Sequence, residues 1–230
     1  EIQSERRKSQ RYQVRSLILT LSNLDTLSPA QIRMEATFLV HDEQTVIIRG
    51  ERFRKYLTSE TLNSRTLEIG QQISADYEGK KPILIGVLNG AFIFLADLMR
   101  SIQIDCEVDF LKLSSYGAQK ISSGEVKELK HIDATITGRH VIVVEDIVDT
   151  GLSMEFILAK LAVDKPASLK VATLLHKFEA TKVDVQLDYV GFRIKNHFVV
   201  GYGLDYGQVG RNLADIYILE EQHGEATGVK

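Results

Sequence analysis

The sequence predicts an α/β protein with a central parallel sheet flanked by helices, and three observations carry that prediction. Short, near-continuous apolar runs such as Ile83-Leu84-Ile85-Gly86-Val87-Leu88 have the length and composition of strands buried on both faces. Stretches of ten or more residues with apolar positions at helical spacing alternate with those runs. Compact turn sequences, Asn89-Gly90 and Asp149-Thr150-Gly151, stand between strand and helix. Alternation of this kind argues for βαβ units. In such sheets ligands gather at the carboxyl ends of the strands, so the turns there should carry the chemistry.

The elements follow in order. Ser28-Pro29 reads as an N-cap and an N1 proline that open a short helix through Gln31-Ile32-Arg33-Met34-Glu35. Residues 45–49 form a short strand. Residues 59–77 form a helix with Leu62, Leu67, Ile69 and Ile73 on its inner side. Residues 82–88 make a buried strand and 91–100 a helix; 108–113 and 141–144 are strands, and 152–163 a helix. Strands at 170–175, 189–192 and 198–200 complete the pattern. Residues 114–138 lose periodicity and gain Ser, Gly and Lys. Composition alone leaves open whether this stretch is an active-site lid or a solvated hairpin.

Composition narrows the class. The 230 residues carry 28 basic and 31 acidic side chains, a formal charge of −3, which describes no polycationic nucleic-acid binder. Hydrophobic residues are 44% and charged ones 26%, enough to bury a core. The one cysteine, Cys106, cannot make an internal disulfide or a cysteine-based zinc cluster, so a reducing, cytoplasmic setting is expected. No apolar run approaches the roughly 20 residues of a bilayer span. The first fifteen residues hold five basic side chains against two acidic ones, a local charge of +3, so the remainder carries −6. Glu1, Glu5 and the lack of an apolar h-region favour a solvated extension there over a targeting peptide.

The informative segment is Val141-Ile142-Val143-Val144-Glu145-Asp146-Ile147-Val148-Asp149-Thr150-Gly151-Leu152-Ser153-Met154. A buried strand runs into two adjacent carboxylates, then a third, then a small-residue turn that opens a helix. Backbone N–H groups and two hydroxyls at a helix N-terminus make a phosphate cradle. Carboxylates so near a phosphate would repel it unless a divalent cation or neutral sugar hydroxyls stand between. A phosphorylated sugar meets that requirement.

The run from Val143 to Gly151 is similar to the phosphoribosyl pyrophosphate (PRPP) signature of type I phosphoribosyltransferases. Leu88-Asn89-Gly90 matches that family's pyrophosphate loop in position, Ser115-Tyr116 its mobile-loop dyad and Lys177 its base-reading lysine. Phe198-Val199-Val200-Gly201-Tyr202-Gly203-Leu204-Asp205-Tyr206, followed by Arg211, resembles the C-terminal hood of hypoxanthine-guanine phosphoribosyltransferases. The resemblance covers about residues 41–219, with the motifs in the family's order. It implies the type I fold with a small hood over the base site, residues 1–40 as an extension, and 41–230 as the transferase domain with its hood at about 177–215.

The resemblance also implies roles. The PRPP 5′-phosphate would lie on Asp149, Thr150, Gly151, Leu152 and Ser153, with Glu145 and Asp146 on the ribose hydroxyls directly or through Mg²⁺. Pyrophosphate would lie on Leu88, Asn89 and Gly90, near Arg211 and beneath Ser115 and Tyr116, with Asp205 helping to hold Mg²⁺. Asp149 would act at purine N7. Phe198 would stack on the purine, Lys177 would meet a 6-oxo acceptor, and the backbone of Val199 and Asp205 would read the N1 and C2 edge. These roles favour 6-oxopurines over adenine.

The family usually forms dimers or tetramers, and the 91–100 helix is a plausible contact element. Asn89, Leu152 and His197 depart from family forms that often carry lysine at those positions, which leaves the reaction class intact and the base preference open. A xanthine-preferring enzyme remains an alternative. So does a regulatory protein that senses PRPP or nucleotides and binds nucleic acid, although the charge of −6 opposes the latter.

Overall fold

The structure is a computed structural model that describes residues 38–40, 44–114 and 127–220. The short helix predicted after Ser28 and the dyad Ser115-Tyr116 lie outside these residues. The chain divides into two compact units, Glu1–Arg52 and Phe53–Lys230. In the first, β1 (Phe38–Val40) pairs antiparallel with β2 (Thr45–Ile48), where Val46 and Ile48 are buried.

The second unit is built on six strands: β4 (Ile83–Leu88), β5 (Glu107–Ser114), β6 (Lys127–Lys130), β7 (His140–Val148), β8 (Ser168–Lys177) and β9 (Tyr189–Ile194). Their order is β6-β5-β4-β7-β8-β9; five run parallel, and β6 pairs antiparallel with β5 at the edge. Among the described residues three helices cover the sheet, α1 (Ser59–Asp76), α2 (Phe92–Ser101) and α3 (Leu152–Ala162).

Strand alternation sends successive side chains to opposite faces, and the core divides accordingly. Leu84, Ile142 and Val144 pack with Leu62, Ile69 and Ile73 of α1 and with Phe94, Leu95 and Leu98 of α2. Ile83, Ile85, Val141 and Val143 pack with Met154, Ile157 and Leu161 of α3. Covering both faces explains why these strands read as unbroken apolar runs rather than as alternating ones.

A smaller antiparallel group is formed by β3 (Glu51–Leu57), β11 (Ile216–Leu219) and β10 (Val199–Val200), with β11 in the middle and β10 at the edge. Of this group, β10 falls within residues 177–215, the expected hood, while β3 and β11 lie outside that range, β11 pairing with β10 and β3 with β11.

The parallel sheet and its helices fall where the sequence places them, with three differences. Leu67 is 46% exposed rather than inward. It lies five residues beyond Leu62, about 140° around a helix of 3.6 residues per turn, and the buried stripe runs instead through Leu62, Thr66, Ile69, Gly70 and Ile73. Strand β7 does not end at Val144 but continues to Val148, because β8 also runs on and pairs with it at Glu145↔Thr173, Ile147↔Leu175 and Val148↔His176. Finally, β1, β3, β6 and β11 have no counterpart in the predicted elements; β3 and β6 are charge-rich segments whose strand character comes from their partners.

Candidate active site

The candidate residues gather at the carboxyl ends of β4, β7 and β8. Strand β4 ends at Leu88, the Leu88–Asn89 peptide bond is cis, and the loop returns through the Ala91 N–H, which donates to Val87 O at 3.3 Å. A Cβ on Gly90 would stand 1.6 Å from Asp146 Oδ2. Glycine therefore lets the loop backbone lie directly against the acidic pair at the end of β7.

In that pair Asp146 is buried and Glu145 half-buried. Asp146 is 8% exposed, and the Ile147 N–H donates to its Oδ1 at 2.8 Å. Burial and the neighbouring Asp146 carboxylate push the Glu145 carboxyl well above its ordinary value. Burial also raises Asp146, against hydrogen bonds to Glu145 and to the Ile147 N–H and the pull of the Arg211 charge. Two adjacent acids held this way are poised to accept hydroxyl hydrogen bonds or a cation that relieves their repulsion.

After Val148 the chain makes the turn 149–151 and enters α3. Gly151 is left-handed, at φ 85°, and a Cβ there would stand 2.6 Å from Val183 O. Thr150 O accepts from the Lys182 and Val183 N–H groups at 2.9 and 3.1 Å, which pins the turn. The first intrahelical bond runs from Glu155 N–H to Gly151 O, and no side chain caps the helix. The N–H groups of Leu152, Ser153 and Met154 thus have no intrahelical acceptor, and the dipole adds partial positive charge. Asp149 is not an N-cap: its Oδ2 lies 3.2 Å from Nζ of Lys177, the last residue of β8 and only 8% exposed.

The hood supplies the remaining wall. Phe198 is 45% exposed although its ring packs on Phe53 (centroids 6.3 Å apart) and edge-on to Tyr206 (5.5 Å, 78°); Phe53 and Tyr206 also touch, at 5.8 Å. Phe53 and Tyr206 were not among the predicted site residues. The Leu219 N–H donates to Phe198 O, so the alternation of the antiparallel ladder turns the N–H and C=O of Val199 away from β11, toward the open edge. His176 bonds Thr181 Oγ1 at 3.1 Å, and His197 packs edge-on against Tyr56.

Beyond β10 a tight turn carries Asp205 and Arg211. Arg211 Nη2 lies 2.6 Å from Asp205 Oδ1, and Arg211 Nη1 donates to Gly203 O at 2.8 Å. The Gln208 N–H donates to Asp205 Oδ2 at 2.7 Å. Gly203, at φ 102°, would place a Cβ 2.1 Å from Gly90 O, so this turn touches the 88–90 loop. Gly90, Asp146 and Gly203 therefore form one close-packed junction. No group of three or more His, Cys, Asp or Glu side chains able to hold a metal occurs among the described residues.

The phosphoribosyl transferase domain family matches residues 59–207, which span α1, the acidic pair, the turn into α3 and the start of the hood. The chain belongs to the phosphoribosyltransferase family. This phosphoribosyltransferase is 43% identical over 175 residues to the hypoxanthine-guanine phosphoribosyltransferase of Aquifex aeolicus, covering 76% of this chain and 98% of the relative. It is 39% identical over 180 residues to that of Bacillus subtilis, covering 78% and 95%. A crystal structure of a hypoxanthine-guanine phosphoribosyltransferase from Bacillus anthracis superimposes with a TM-score of 0.69 at 45% identity, covering 72% of this chain and 98% of that one. A hypoxanthine phosphoribosyltransferase from Trypanosoma cruzi, solved as a ternary substrates complex, gives 0.69 at 40%, covering 72% and 94%.

Proposed function

We propose that this phosphoribosyltransferase works in purine salvage, moving the 5-phosphoribosyl group from PRPP to N9 of hypoxanthine or guanine to give IMP or GMP and pyrophosphate. The observation that carries this reading is the 3.2 Å pair of Lys177 and Asp149. O6 and N7 are neighbours on one edge of a 6-oxopurine, and a cation beside a carboxylate can address both atoms together. Adenine would set an amino donor against the Lys177 ammonium, so the lysine would gain no acceptor from the base beside Asp149. The relatives named above carry the same specificity in their names.

The chain's residues then divide the work. The open N–H groups of 152–154, with the Thr150 and Ser153 hydroxyls, hold the 5′-phosphate beside Asp149. Glu145 and Asp146 orient the ribose hydroxyls. The backbone of Leu88, Asn89 and Gly90 holds the pyrophosphate, with Arg211 adding charge and Ser115 and Tyr116 covering it. Phe198 stacks on the base, and the edge groups of Val199, with the backbone of Asp205, read its N1 and C2 side. Once the C1′–pyrophosphate bond breaks, N9 forms the new bond to C1′, and Asp149 accepts the proton or hydrogen bond at N7.

The donor set fits Mg²⁺. A cation that keeps several waters and binds one or two carboxylates plus substrate phosphates needs no closed protein cage. Glu145 and Asp146 would hold it, Asp205 would join by exchanging its Arg211 or Gln208 partner, and it would neutralise charge on the departing pyrophosphate.

Residues 41–230 act as the transferase unit, and the chain assembles as a homodimer or homotetramer through α2, where Phe92 is 43% exposed; a single sedimenting species of 25.9 kDa would remove that assembly. Chromatographic detection of IMP and GMP after incubation with PRPP, Mg²⁺ and each base tests the reaction. Failure to form either nucleotide would overturn it.

A further inference from the structure

Tyr202 lies between Gly201 and Gly203 in the hood turn and is 4% exposed. Its backbone is left-handed at φ 51°, an unusual conformation for a tyrosine. The Tyr202 N–H donates to Leu213 O at 2.8 Å. Its side chain leaves the hood altogether: the hydroxyl donates to Asp97 Oδ2 at 2.6 Å, across 105 residues of sequence. Asp97 stands on α2, the helix that continues directly from the 88–90 loop, and pairs with Arg100 one turn on.

The hood turn therefore meets the loop–helix segment at two points. One is Gly203 against Gly90 O, where only a missing Cβ permits the approach; the other is Tyr202 on Asp97. Between them the turn carries Asp205 and Arg211, which are tied back to Gly203 by the Arg211–Gly203 hydrogen bonds in both directions. Burial and the Asp97 carboxylate both push the Tyr202 phenol well above its usual range, so the hydroxyl stays a donor at working pH.

We propose that the Tyr202–Asp97 hydrogen bond docks the hood turn on the 88–90 loop, and that Tyr202 is a positioning residue for pyrophosphate. The inference rests on the proposed function for the identity of that ligand. Tyr202 itself touches no substrate; it sets the distance between the loop backbone and Arg211, and a part-buried bond to a charged acceptor is strong enough to hold that distance.

The test is titration calorimetry of inorganic pyrophosphate with Mg²⁺ on the whole chain, beside steady-state kinetics and melting. Tyr202→Phe should weaken pyrophosphate binding and raise KM for PRPP by roughly 3- to 10-fold, the size of one lost hydrogen bond, while kcat changes less than about twofold. Asp97→Ala should reproduce this loss, Asp97→Asn, which keeps an acceptor oxygen, should restore most of it, and the double variant Tyr202→Phe/Asp97→Ala should be no worse than either single one. Pyrophosphate binding in Tyr202→Phe equal to the parent's, with only a lower Tm, would overturn the proposal and leave a structural bond. Weakened binding in a chain whose parent turns over no purine would overturn the proposed function and leave the docking role standing. Should Tyr202→Phe fail to fold, the Asp97→Ala and Asp97→Asn pair decides the question.

Discussion

Lys177 Nζ stands 3.2 Å from Asp149 Oδ2, so the end of β8 and the turn after β7 are joined by an ion pair at the mouth of the candidate site. Lys177 is nearly buried while the Asp149 side chain is 46% exposed, so the pair's carboxylate side faces the space a ligand would fill.

Asp149→Asn keeps the shape of the turn and removes the proton acceptor. The phosphate cradle is mostly backbone, so PRPP affinity should stay near the parent's while kcat falls about 10²- to 10⁴-fold, the usual contribution of a general acid–base group. Turnover equal to the parent's would remove Asp149 from its assigned role.

Lys177→Ala deletes the cation meant for O6 and leaves Asp149 without its partner. Discrimination between hypoxanthine and adenine, read as the ratio of their kcat/KM values, should shrink. An unchanged ratio would move base recognition elsewhere.

Gly90→Ala forces a methyl into the space of Asp146 Oδ2, and either the loop or the carboxylate must move. KM for PRPP should rise at least about tenfold, since a misplaced loop loses its backbone contacts. Gly138→Ala is the control: at φ 67° with nothing within 4 Å, it should cost only the left-handed backbone penalty, about 1–2 kcal/mol in melting experiments, and leave KM unchanged.

Asp109 contributes to acid stability. Burial raises its carboxyl, but the N–H groups of Ala134, Phe110 and Asp133 and the Lys130 ammonium outweigh burial and hold it below its ordinary value. A depressed carboxyl contributes stability that is present above the unfolded value of about 4 and lost as pH falls through the folded one. The Tm gap between the parent and Asp109→Asn should therefore be wide at pH 7 and narrow below about pH 4. A gap independent of pH would contradict this.

Glu145→Gln removes the half-buried carboxylate beside buried Asp146. The unliganded variant should melt higher than the parent at pH 7 because the repulsion and part of the desolvation cost disappear, and its turnover should drop. A lower Tm would show that the glutamate contributes to stability in the free protein.

Much of this was legible in the sequence. The strand–turn–helix rhythm, the turn at 149–151 and the order of the motifs all rest on local patterns of apolar residues and small turn residues, and the structure keeps them. Other features depended on partners far along the chain. The predicted strand stops at Val144 because carboxylates interrupt the apolar run, yet β8 extends alongside and makes Glu145 to Val148 strand. Phe53 supports Phe198 across 145 residues, and its flanking Arg52 and Arg54 gave no apolar run to mark it. Tyr202 carried a weak local sign, its place between two glycines, but nothing near it in sequence pointed to Asp97.

The most direct measurement is a spectrophotometric assay of the whole chain with PRPP and Mg²⁺ against hypoxanthine, guanine, xanthine, adenine and uracil in parallel. Turnover of hypoxanthine or guanine, with adenine and uracil inert, is the predicted result. Turnover of adenine or uracil in preference to the 6-oxopurines, or of no base at all, would contradict the account.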